Sequence, residues 1–72
     1  MSLARKSGVV KWFDNKRGFG FILDSEGTEY FVHYTSVNMQ SRGYATLQQN
    51  QPVTFVPVNE AKGPKATDVR FL

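Results

Sequence analysis

Cysteine is absent from the 72-residue chain. That excludes both a disulfide framework and a zinc knuckle, and nothing suggests an oxidising compartment, so a cytoplasmic setting is expected. No apolar run approaches the roughly 20 residues that span a bilayer. The opening Met1-Ser2-Leu3-Ala4-Arg5-Lys6 lacks the apolar core of a signal peptide, so no membrane partner is expected. Residues 1–6 are read as a flexible lead-in, with Met1 to Leu3 in part a cloning remnant. His33 is the only histidine and no carboxylate pair is clustered. No nucleophile–base arrangement is evident, and one histidine is no metal site, so neither an enzyme, a cofactor, a metal nor a small-molecule substrate is expected. Helical periodicity is missing too: glycine, proline or a β-branched cluster interrupts every window with i, i+3, i+4, i+7 spacing.

What is present reads as one small all-β domain over residues 1–72. A chain of this length sits near the lower limit for folding without a disulfide, a metal or a partner subunit, so modest stability and a monomer are expected. Short apolar runs at Val9 to Phe13, Gly18 to Leu23 and Glu29 to Tyr34 are separated by Asp14-Asn15-Lys16-Arg17 and Asp24-Ser25-Glu26-Gly27-Thr28, both rich in turn formers. They form a meander. A longer polar connection from Tyr34 to Leu47, with room for a helical turn, leads to a fourth strand near Pro52 to Val58. A turn over residues 59–64 and a last strand near Lys65 to Phe71 complete the chain. Pro57 suggests an edge or a bulge in the fourth strand. About five antiparallel strands suggest closure into a small barrel, of the oligonucleotide-binding kind or resembling an SH3 domain, because closure removes exposed edges.

The inward positions are then Val10, Ile22, Val32, Val53, Phe55 and Val69, with Tyr30 and Leu47 partly buried. Gly18 and Gly20 share the side of Ile22, where missing side chains let a short strand coil around a narrow barrel. Alternation puts Phe19 and Phe21 on the opposite face, and Phe31 and His33 opposite Val32. Trp12 joins them if a bulge is assumed in the first strand, since Val10 and Trp12 share parity. Clustered phenylalanines on a strand are usually core, but both parities of these strands are apolar and a closed barrel has one interior to fill.

The formal charge is +3, with a pI near 9.5. Basic residues crowd the first part of the chain, whereas Asp24, Glu26 and Glu29 follow the second strand, so the two signs are expected at different ends of one small surface. An exposed aromatic face flanked by Lys11, Lys16 and Arg17 suits single-stranded nucleic acid: every base offers a flat face to stack, and every nucleotide carries a charge to neutralise.

The motifs resemble those of the bacterial cold-shock domain family from Ser7 to Phe71. Gly8-Val9-Val10-Lys11-Trp12-Phe13 resembles the family's opening strand. Arg17-Gly18-Phe19-Gly20-Phe21-Ile22 and Tyr30-Phe31-Val32-His33-Tyr34 resemble its two ribonucleoprotein motifs. Gly43-Tyr44-Ala45-Thr46-Leu47 and Lys62-Gly63-Pro64-Lys65-Ala66 sit where the family has an aromatic loop and a Gly-Pro turn. Asp14, Tyr30, Tyr34 and Tyr44 depart from the residues common at their positions, and residues 38–42 form a longer loop than in short members. The resemblance implies a five-stranded oligonucleotide-binding barrel that binds single-stranded RNA and DNA and acts as an RNA chaperone, often in cold stress. It gives stacking roles to Trp12, Phe19, Phe21, Phe31, His33, Tyr34 and Tyr44, and polar or phosphate contacts to Lys11, Arg17 and Lys62. An RNA-recognition-motif domain shares the RGFGF string but needs a strand and a helix before it and the reverse motif order. The remaining alternative is an SH3-like barrel gripping a proline-rich peptide.

Overall fold

A computed structural model of the chain describes residues 5–37 and 47–72. Five strands follow in order: β1 (Lys6–Asp14), β2 (Phe19–Asp24), β3 (Glu29–His33), β4 (Pro52–Glu60) and β5 (Gly63–Phe71). They close into a barrel in the order β1-β2-β3-β5-β4. The β1–β2, β2–β3, β4–β5 and β1–β4 contacts are antiparallel, and β3 meets β5 in parallel through Phe31 and Lys65. The expected all-β, five-stranded barrel is the fold found.

The interior follows from alternation. Val10, Ile22, Val32, Val53, Phe55 and Val69 are all fully buried. Tyr30 and Leu47, expected to be partly buried, retain only 7% and 1% of their surface. Tyr30 reaches that depth because its ring packs on Phe55 at 4.9 Å while its hydroxyl donates to Asp24 at 3.0 Å. Burying a phenol needs such a partner. Val37, Val56 and Ala66 also join the buried set. Val37 enters through an isolated bridge to Val69, beyond any strand that alternation marks out.

The assumed irregularity in β1 is present: Val10 pairs with Ile22 and Trp12 with Phe21, leaving Lys11 as the extra residue of a bulge. That single insertion sends Val10 inward and Trp12 outward. A second shift lies between Thr54 and Val56. Past Phe55, β4 pairs with β5 alone among the described residues, so Pro57 stands on the edge-like part of the strand, where a missing N–H costs no ladder bond.

Three expectations need correction. The turn placed over residues 59–64 is much shorter, since Asn59 pairs with Pro64 and Glu60 with Gly63, leaving Ala61 and Lys62 at the tip. Gly63, at φ 127°, supplies the backbone geometry that lets the strands continue so far. Tyr34 is not the last residue of β3 but opens a 3₁₀ turn, Tyr34–Ser36. Gly18, read as the first residue of the second strand, lies in the turn before β2, and both it and Gly20 sit where the chain leaves no room for a side chain. A Cβ on Gly20 would collide with the carbonyl oxygen of Trp12 and with Phe13 Cα, and one on Gly18, at φ 79°, would meet the Tyr34 ring at 2.7 Å.

Candidate nucleic-acid interface

With Ile22 and Val32 committed to the interior, strand geometry sends Phe19, Phe21, Phe31 and His33 to the outer face. The β2–β3 register sets Phe21 opposite Phe31 and Phe19 opposite His33. The β1 bulge sets Trp12 opposite Phe21. The rings touch: Trp12 lies 5.5 Å from Phe21 and 6.0 Å from Phe19, and Phe31 lies 5.9 Å from each of Phe19 and Phe21. Tyr34 packs on His33, its ring 4.7 Å away and seated against Gly18. Trp12 and Tyr34 remain 38% and 49% exposed. Trp12, Phe19, Phe21 and Phe31 thus form one ring cluster, and His33 and Tyr34 form a second pair set beside it by the pairing of His33 with Phe19; Tyr44 lies outside the described residues.

The cations are distributed differently from the sequence expectation. Lys11 Nζ sits 2.9 Å from Glu29, and Lys6 Nζ 3.3 Å from Asp24. Basic and acidic groups therefore interleave rather than occupying opposite ends, because hairpin pairing carries the acidic β2–β3 segment back alongside the basic β1. Arg17, in the turn before β2, is largely exposed and lies 3.8 Å from Asp14. That turn is shaped by Asp14, whose Oδ1 accepts from the N–H groups of Lys16 and Arg17. Lys16 and Lys62 form no salt bridge among the described residues.

Beside the rings a cleft of about 470 Å³ is lined by Phe21, Phe31, Glu29, Lys62, Pro64 and Lys65, among others. It joins the tip of the β4–β5 turn to the aromatic surface, which gives Lys62 its place near the rings. Lys65, 3.9 Å from Glu60, was missed in the sequence because only its pairing with Phe31 brings it there.

Among the described residues one charge is buried, that of Asp24 at the end of β2. Asp24 Oδ1 accepts from the N–H groups of Glu26 and Thr28, shaping the β2–β3 turn, and Oδ2 accepts from Tyr30 and Lys6. Burial pushes its pKa up, but these four donors outweigh burial and hold it below the ordinary carboxylate value. Lys6 is raised in turn, first by Asp24 and then by Tyr30.

Residues 6–72 match the family described as the 'Cold-shock' DNA-binding domain. The chain belongs to the cold-shock domain family. It is 46% identical over 68 residues to the major cold shock protein CspA of Pseudomonas aeruginosa, covering 94% of this chain and 96% of that one. It is 48% identical over 66 residues to the probable cold shock protein A of Mycobacterium tuberculosis, covering 90% and 96%. Among solved structures, Drosophila Unr CSD456 superposes with a TM-score of 0.78 at 25% identity; the match covers 99% of this chain and 28% of that longer one. Cold-shock domain proteins are non-enzymatic and bind nucleic acid. No helix among the described residues is long and apolar enough to cross a membrane.

Proposed function

We propose that this cold-shock domain binds single-stranded RNA and DNA by stacking bases on Trp12, Phe19, Phe21, Phe31, His33 and Tyr34, and that it acts as a passive RNA chaperone. The observation that carries the reading is the outward ring cluster of Trp12, Phe19, Phe21 and Phe31, with the His33–Tyr34 pair beside it, on a barrel whose buried core is built from the opposite face. Bases in a duplex are stacked on one another and hide their faces, so a ring surface of this kind favours unpaired strands. Lys11, Arg17 and Lys62 serve the sugar–phosphate chain and polar base edges. Tyr44 is kept in the set on the family resemblance alone. The domain, taken as residues 1–72, works as a monomer.

No phosphate-binding loop of the P-loop type occurs in the sequence, so unwinding is not driven by hydrolysis; the protein traps strands that open by themselves. Trapping shifts a hairpin equilibrium by RT ln(1 + [L]/Kd), about 2.7 kcal/mol at a hundredfold excess over Kd. Cooling strengthens base pairing, which gives a physical reason for abundance in the cold.

The test is a titration followed by the fluorescence of Trp12, the sole tryptophan. Single-stranded RNA and DNA oligonucleotides are expected to quench it at concentrations where the matching duplex and a proline-rich peptide do not. Tighter binding of the duplex or the peptide would overturn the reading.

A further inference from the structure

His33 is the last residue of β3 and the N-cap of the 3₁₀ turn that follows. Its Nδ1 lies 2.9 Å from the Thr35 hydroxyl and accepts a longer bond, 3.4 Å, from the Thr35 backbone N–H. A backbone N–H only donates, so a proton on Nδ1 would set two donors against each other. The backbone contact thus favours an acceptor Nδ1, with the Thr35 hydroxyl donating to it and the proton of the neutral ring on Nε2. The contact also fixes the ring plane, and with it the 4.7 Å packing of His33 on Tyr34. Tyr34 is held in turn by its backbone N–H, which donates to the Gly18 carbonyl at 2.8 Å.

We propose that Thr35 is a positioning residue: its backbone N–H selects the Nε2–H tautomer of His33 and its hydroxyl holds the ring in place, so that the ring presents one N–H donor to an oxygen acceptor of the bound strand, a base carbonyl or a phosphate oxygen. The inference rests on the aromatic face being the contact surface for single strands. A stacking ring alone tolerates every base. A donor of fixed position adds a directional bond at one point of the face, and it rewards an oxygen edge over an amino edge there. Thr35 is exposed and takes no part in the buried core, so its role is separable from folding.

The test combines tautomer and affinity. Long-range ¹H–¹⁵N correlation spectra of the free protein report a single imidazole, since the chain has one histidine. At a pH where the ring is neutral, Nδ1 is expected to resonate as an unprotonated nitrogen and Nε2 as a protonated one. Thr35→Ser keeps the hydroxyl and is expected to bind single strands like the parent. Thr35→Val removes it and is expected to weaken binding about three- to tenfold, the effect of one net hydrogen bond. In a His33→Ala background, Thr35→Val should have no further effect. A proton on Nδ1, unchanged affinity of Thr35→Val, or an equal loss in the His33→Ala background would overturn the positioning role. Phe31→Ala, measured in parallel, separates the two levels: if it binds like the parent, the contact surface itself is wrong; if it weakens binding while Thr35→Val does not, only the role of Thr35 falls.

Discussion

Phe19 and Phe31 lie with ring centroids 5.9 Å apart and planes 30° from parallel, although they are diagonal neighbours and not direct partners across the ladder. Phe31 pairs directly with Phe21, which it meets edge to face at 76°. One ring thus joins the two phenylalanines of β2, within the diagonal reach of aromatic side chains on a twisted sheet. Phe31→Ala is expected to weaken single-strand binding by about 1–3 kcal/mol, and Phe19→Ala by a similar amount. Because the rings touch, the double variant should lose less than the two losses added together. Fluorescence titration and circular dichroism on the same samples check this; unfolded variants would mean that the rings hold the barrel together and are not a free surface.

Ile22 and Gly20 supply the opposite control. Ile22 is fully buried, and Ile22→Ala is expected to cost about 2–5 kcal/mol of stability. Gly20→Ala would press a methyl into the Trp12 carbonyl and Phe13 Cα, with an expected loss of about 1–3 kcal/mol. Urea unfolding measures both. For Gly20→Ala, the displaced β1 backbone should also disturb Trp12, so its fluorescence maximum should move in the native baseline.

Stability should depend on pH through Asp24 and Lys6. The folded pKa of Asp24 lies below its ordinary value of 3.8, so its contribution is present above that value and is lost as pH falls through the folded pKa. Lys6 is raised above 10.5, so its contribution is present below that value and is lost as pH rises through the folded pKa. Lys6 is partly exposed and its pairing is screened, so the acid limb is the larger of the two. Asp24→Asn keeps an oxygen for the turn N–H groups but loses the charge, and it should flatten the acid limb of urea midpoint against pH. An unchanged limb would assign acid unfolding to other carboxylates.

Salt should weaken binding only moderately. Lys11 is paired with Glu29 and Lys65 with Glu60, so few cations near the rings are free to displace counterions. Single strands give a slope of about −0.7 in log K against log salt for each phosphate neutralised, and the whole slope is expected to be shallower than about −4. Glu29→Gln releases Lys11 and should steepen it by up to about 0.7. A steeper parent slope would make phosphate contacts the main source of affinity.

Much of this architecture is legible in alternation alone. Val10, Ile22, Val32, Val53, Phe55 and Val69 fall inward because one interior fixes one parity per strand. The outward rings follow as the complement, and even the β1 bulge is required by the shared parity of Val10 and Trp12. What alternation misses depends on contacts between distant segments. Asp24 reads as a turn former, yet it is buried, because Tyr30 and Lys6 converge on it from other positions in the fold. Lys11 reads as a free cation until pairing brings Glu29 beside it. Tyr34 reads as strand, but the side chain of His33 caps a turn there, a local hydrogen bond that hydrophobic patterning does not encode.

The central claim, that outward rings bind unpaired bases by stacking, is tested most directly by removing the bases and keeping the charge. The protein is titrated with a single-stranded oligonucleotide and with an abasic strand of the same length and phosphate count, at one salt concentration. Each stacked base contributes about 1–3 kcal/mol, so the abasic strand is expected to bind at least about a hundredfold more weakly. An abasic strand that binds within about threefold of the parent would contradict the account and assign binding to the phosphates.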